Sequence, residues 1–262
     1  MDGLVFTLFA LAAFAGGFVS GFSGFAMGLV VSGVWLHVLT PIQTATLIAG
    51  YGLLTQGYGI WNLRHVLDTG KTWALVLGTV IGIPVGVAVL AWINPAYVRF
   101  GVGVLLVLYT IYSLTRPVFA PIRIGAGADI AIGLSNGLLG GLTGLGGVIS
   151  TISCQLRGWP KDVQRAVFQP VLFVAFVVIS ISQAVAGSIT RNTLVLYGLG
   201  VPFMVAGLWS GFSLYGKIND ETFRKTVLVL LLFAGLSLMV PVLALGFGPL
   251  MFDFFSPSAP PM

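Results

Sequence analysis

The sequence predicts an all-α polytopic membrane protein built from two inverted repeats, each holding three transmembrane helices and a re-entrant helical hairpin. Three observations predict it: a composition that belongs in a bilayer, a glycine-rich phrase that occurs twice, and a distribution of Lys and Arg that sorts only if two apolar segments turn back. Of 262 residues, 57% are hydrophobic and 7% charged, against about 25% charged in soluble domains, and mean hydropathy is +1.04. The 61 residues between Asp2 and Arg64 carry no charge. As helix they would run roughly 90 Å, about three hydrocarbon thicknesses.

Apolar runs between breakers fall at 4–38, 41–60, 71–92, 97–114, 130–156, 162–187, 192–214 and 222–246. Six have ordinary spanning length. The first is too long for one crossing and is broken by Ser20-Gly21-Phe22-Ser23-Gly24-Phe25-Ala26-Met27. The fifth carries the matching phrase, Gly140-Gly141-Leu142-Thr143-Gly144-Leu145-Gly146-Gly147, 120 positions on. A second phrase, Ile93-Asn94 before Val98-Arg99, returns as Ile218-Asn219 before Phe223-Arg224 at an offset of 125. Two matches at nearly one offset indicate a duplication, and duplicated halves with interrupted apolar helices are the pattern of secondary transporters.

Lys and Arg concentrate in cytoplasmic loops. If all eight segments cross, the two sides hold five and seven of them, which is no bias; if segments one and five enter and leave on one side, the split is ten against two. The second arrangement leaves three crossings plus one hairpin per half, inverts the second half relative to the first, and puts both termini outside. The second hairpin then has arms of about a dozen residues, roughly 18 Å each, with its tip near the bilayer centre. Residues 1–115 form the first repeat, 116–129 a cytoplasmic linker with two prolines, 130–246 the second repeat, and 247–262 an external Pro- and Ser-rich tail expected to be disordered.

Segment ends carry their own signals. Asn94-Pro95 supplies a cap with proline in the first turn, and Asn219-Asp220-Glu221 a cap with acidic residues where the helix dipole favours them. Met1-Asp2-Gly3 lacks the basic region of a secretory signal, so the first apolar segment is expected in the mature protein. Cys154, the single cysteine, is read as a packing residue. A net charge of +5 fits positive-inside loops rather than nucleic acid.

A helix broken at glycine frees backbone N–H groups that must find partners in a dry bilayer. An anion is such a partner, because a half-helix N-terminus carries about half a positive charge. The candidate site therefore joins Ser20, Gly21, Ser23 and Gly24 to Gly141, Thr143, Gly144 and Gly146, with backbone N–H groups and hydroxyls as donors. Arg165, near a helix start, and Gln169, one turn deeper on the same face, form a cytoplasmic approach. Arg165 reads equally as a snorkelling topology charge. Gln56, Asn62, Gln164, Gln183 and Asn136 are the other polar residues that stand out within the apolar segments.

Every Asp and Glu lies in a loop, a tail or at a segment end. No intramembrane carboxylate serves a proton relay or sodium site, and neither carboxylate nor histidine clusters suit a metal carrier. No cofactor is called for. An anion moving outward needs none of these, because an inside-negative potential drives it at about 2.3 kcal/mol per charge per 100 mV.

The duplicated glycine phrases, the Pro41 to Ala45 start of segment two, Trp61-Asn62-Leu63-Arg64 at its end, and the Gly82 to Trp92 run together resemble the TauE/SafE family of sulfite exporters, over residues 4–246. The resemblance implies a bacterial inner-membrane carrier of small inorganic or organic sulfur oxyanions, such as sulfite or a sulfonate. The first phrase departs from the usual glycine-rich run in having Phe25-Ala26-Met27. Partners are then the oxyanion and the lipid bilayer, with a homodimer as an option.

Two other classes compete. A membrane subunit could use the glycines only for close packing. An intramembrane serine protease could use Ser23, since Gly21-Phe22-Ser23-Gly24 matches the Gly-x-Ser-Gly of rhomboid proteases. That chemistry requires a base within hydrogen-bond reach, and the only histidines, His37 and His65, lie at segment ends.

Overall fold

The computed structural model describes residues 3–90, 95–115, 125–143 and 147–244. The described residues form ten helices and no strand: α1 Gly3–Ser23, α2 Met27–Val38, α3 Pro41–Asn62, α4 Thr69–Leu90, α5 Pro95–Thr115, α6 Ala126–Thr143, α7 Val148–Leu156, α8 Lys161–Val185, α9 Arg191–Tyr215 and α10 Asp220–Ala244. Five are long and apolar enough to cross a membrane: α1, α8, α9, Thr72–Val89 of α4 and Asp220–Val240 of α10. Asn94 and the 247–262 tail lie outside the described residues, as does most of the expected linker, although α6 already begins at Ala126.

Helix ends follow local chemistry. Thr40 and Gln43 form a reciprocal capping box with Pro41 in the first turn of α3, and the Asn219 side chain accepts from the Thr222 amide at 2.8 Å, each satisfying amides that the helix leaves open.

The first and fifth apolar segments each fold into a helical hairpin. α2 returns along α1: Phe9 stacks on Trp35 with centroids 5.2 Å apart, the Trp35 indole donates to the Phe9 carbonyl at 3.2 Å, and Gly16 faces Met27 and Val31. α7 returns along α6, with Asn136 reaching Gly147 and Ser150 and Arg157 paired with Asp129 at the base. The arms are unequal, where the second hairpin was expected to have two of about a dozen residues. They have 21 and 12 residues in the first hairpin and 18 and 9 in the second. Each returning arm is cut short by its own stop signal: α2 by the Thr40-Pro41 cap, and α7 by Gly158, at φ 63°, followed by Pro160. Three residues separate α1 from α2 and four separate α6 from α7, so the two breaks differ by one residue.

The most extensive helix contacts are α4 with α6 and α1 with α9, followed by α5 with α10 and α3 with α8. The first two rest on glycine. Gly78, Gly82 and Gly86 lie against the α6 backbone from Ile130 to Leu138, while Gly133, Gly137 and Gly141 lie against α4 from Leu75 to Val87. Gly17 and Gly21 of α1 meet the α9 backbone, and Gly207 and Gly211 meet α1. Residue numbers rise together along both pairs, so both are parallel. A methyl group at these positions would enter the neighbouring main chain, which is the close approach that small-residue spacing allows in lipid.

Replacing Gly207 with Val should destabilise the fold by at least about 2 kcal/mol through overpacking, read as a lower melting temperature in detergent. Gly198→Ala, on the same helix but facing open space, should leave it unchanged or raise it, since Ala favours helix by up to about 1 kcal/mol.

Candidate functional site

The first break is tied off by its own hydroxyl. Ser23 Oγ donates to the Val19 carbonyl at 2.7 Å or the Phe25 carbonyl at 2.9 Å and accepts from the Phe25 amide at 3.3 Å. The Ser20 carbonyl accepts from the Gly24 amide at 2.8 Å. Gly24 has φ 84° and Ala26 φ 66°. Both are left-handed, a conformation that costs a non-glycine residue about 1–2 kcal/mol, and Ala26 adopts it as the residue preceding α2. Gly24 has a second reason to be glycine, because a Cβ there would sit 2.8 Å from the Phe168 ring and 2.9 Å from Arg165 Nε.

Four of the expected residues meet here. Arg165 is fully buried and its Nη1 donates to the Gly21 carbonyl at 2.9 Å. With its amide oxygen turned toward the guanidinium, the orientation that satisfies both groups, Gln169 accepts from Arg165 Nε at 3.2 Å and Nη2 at 2.8 Å and donates to the Gly59 carbonyl at 3.3 Å. Gln56 Nε2 donates to the Gly24 carbonyl at 3.0 Å. The guanidinium also lies 4.3 Å from the ring centroids of Phe212 and Tyr215. Arg165 therefore does not snorkel: the α1 tip, Gln169 and two rings enclose it. Among the described residues no carboxylate lies within ion-pair distance of it, and Asp162 instead accepts from the Tyr215 hydroxyl. Asp162, one turn back on α8, reaches the guanidinium only through space and through the Tyr215 hydroxyl, so the direct partners of this buried cation are carbonyl, amide, hydroxyl and ring groups.

The second break is held differently. Asn136 Oδ1 accepts from the Gly147 amide at 3.0 Å and the Ser150 amide at 3.3 Å, and its Nδ2 reaches Thr79 Oγ1 at 3.4 Å. Gly147, at φ 94°, precedes α7 as Ala26 precedes α2, and its Cα faces Leu172. Of the expected residues, Gly141 sits in the α4–α6 contact and Thr143 ends α6. Gly144 and Gly146 lie outside the described residues.

The two breaks share a cavity of about 60 Å³, room for a few waters or one small ion. Ala26, Met27 and Gly28 at the start of α2 line it, with Val148 at the start of α7 and Thr55 and Gln56 from α3. First-turn amides have no partner within their own helix, so both short helices open toward one space. Ala26, Met27, Gly28 and Val148, which line this cavity, were not among the residues expected from the sequence, which centred on the glycines just before these helix starts. Gln56 had stood out as polar but had not been assigned to the site.

Ser23 has no base beside it, its hydroxyl being spent on its own backbone. Every described Asp and Glu lies in a first helical turn or a connection, and the described residues hold no cluster of three or more His, Cys, Asp or Glu.

The family description Sulfite exporter TauE/SafE matches residues 8–251, nearly the whole chain. The chain therefore belongs to the TauE/SafE sulfite exporter family, whose members are membrane transporters rather than enzymes. No curated protein matches it, and no solved structure does.

Asn136→Ala should lower stability by about 1–3 kcal/mol, since it strands buried amides. Ala26→Gly should hold or raise it, by up to about 1 kcal/mol, by removing left-handed strain. Thermal unfolding of the two purified variants beside the native chain checks both.

Proposed function

We propose that this chain exports sulfite, or a related small sulfur oxyanion such as a sulfonate, through the cavity where α2 and α7 begin. The observation that carries the reading is the convergence of two helix N-termini on one cavity, with the buried Arg165, which has no direct carboxylate contact, at the first tip. The N–H groups of Met27, Gly28 and Val148 are the proposed first donors, with Thr143, Gly144 and Gly146 completing the second tip. Gly21, Ser23 and Gly24 shape the first tip, and Gln169 orients Arg165. Ser20 and Gly141 fix the glycine-packed arms that carry the tips.

In this reading the halves, 1–115 and 130–246, are inverted repeats. Exchanging them leaves the helix pairing unchanged: α1 with α9 becomes α6 with α4, while α3 with α8 and α5 with α10 map onto themselves. Positive-inside placement puts the connections rich in Lys and Arg in the cytoplasm and both termini outside a bacterial inner membrane. One chain holds both breaks and the cavity, so the reading requires no second copy. The absence of carboxylates from the described helix interiors fits export driven by the membrane potential alone.

Sulfite efflux from proteoliposomes tests the proposal. Arg165→Gln, which removes the charge, should lower the flux by about tenfold or more, equivalent to about 1.4 kcal/mol of barrier, in protein that remains monodisperse. Flux no greater than that of empty liposomes from folded native protein, with no calorimetric heat from sulfite, sulfate or chloride, would shift the assignment to a packing subunit.

A further inference from the structure

On the side of Arg165 away from the cavity, a cleft of about 390 Å³ opens between the ends of α3 and α9, lined by Tyr58, Asn62, Trp209, Phe212 and Ser213. The order along α3 gives its direction: Thr55 and Gln56 face the cavity, Gly59 meets Gln169, and Asn62 faces the cleft. Arg64 lies just beyond, over the Trp61 ring at 4.3 Å, and Lys217 lies two residues past the end of α9, so the mouth is flanked by cations. Two of the rings that line the cleft meet, and one of them touches Arg165. The Phe212 ring lies 4.3 Å from the Arg165 guanidinium and meets Tyr58 edge to face, with centroids 5.2 Å apart.

We infer that Phe212, backed by Tyr58, is the gate residue of the anion route and also the group that parks Arg165 when no anion is present. This rests on the reading of Arg165 as an anion contact. A guanidinium is held less strongly by an aromatic face than by a charge-assisted hydrogen bond to an anion. An arriving oxyanion can therefore exchange with the ring as the partner of Arg165. The ring swings aside as Arg165 turns to the anion, and it closes again when the anion leaves. Toward the other end of α3, Tyr51 is stacked on Tyr197 and donates to the Tyr197 carbonyl at 2.7 Å, which ties α3 to α9.

The test is alkylation by iodoacetate, a small anion, of a cysteine placed at Thr55 on the cavity wall of the full chain in liposomes, with Cys154 replaced by Ala. Neutral iodoacetamide serves as the uncharged comparison, and mass spectrometry reads the rate. Phe212→Ala should speed labelling by iodoacetate by about tenfold or more, Phe212→Trp should slow it, and Phe233→Ala, on an exposed face of α10, should do neither. Tyr58→Ala and Phe212→Leu give the same reading if the first variant fails to fold. Rates equal to that of the parent in every folded gate variant overturn the proposal. Because the readout is access and not sulfite flux, a gate that opens in a protein that moves no sulfite would sink the substrate assignment and leave the gate standing.

Discussion

Bare backbone pressed against bare backbone is the contact on which the rest of this structure depends. α1 lies on α9 and α4 on α6 through glycines whose missing side chains let main chains touch. In lipid, where burying apolar surface gains nothing, such van der Waals contact is what remains to hold helices together. Because each pair joins a hairpin's long arm to a helix of the other half, the same contact fixes where each arm ends. The tips then fall beside α8, with Gly24 at Phe168 and Gly147 one turn further at Leu172.

The tips answer a second demand, that backbone groups freed in a dry interior find partners, and they answer it unequally. At the first, a serine hydroxyl takes an amide while a glutamine from α3 and an arginine from α8 donate to carbonyls; at the described part of the second, an asparagine from its own long arm takes two amides. The base of the second hairpin is clamped by the buried Asp129–Arg157 pair, with Arg157 also over the Trp159 ring at 4.8 Å. At the base of the first, Phe9 stacks on Trp35, whose indole donates to the Phe9 carbonyl. Related in helix order, the hairpins are chemically different devices.

Much of this was legible in the sequence. Pro41, Pro95 and Asn219 marked helix starts within a residue or two, and the doubled glycine phrase located both hairpins. Three things were not. The shared cavity is lined by the helix starts after the glycines, and a left-handed alanine at position 26 has no sequence signature. The glycines at 21 and 141 turned out to belong to helix contacts, because spacing alone cannot say whether a bare backbone faces a ligand or a neighbour. Arg165 lies four residues into α8 and so read as a surface charge. What buries it comes from α1 and α9, and its carbonyl partner is 144 residues away in sequence.

The parallel pairing across halves has a consequence for how the chain is made. α4 is followed almost at once by α6, so its glycine-lined edge is covered soon after it forms. α1 is made well before α9 and meets it only when the chain has been translated past residue 191. Until then its uncovered edge faces lipid or the insertion machinery, with the short α2 folded against it. Earlier in sequence than the other described helices, α1 is thus among the last of them to be locked in place. The cavity between the two breaks, which needs the tip of α1 beside α8, is complete only once α1 has found α9.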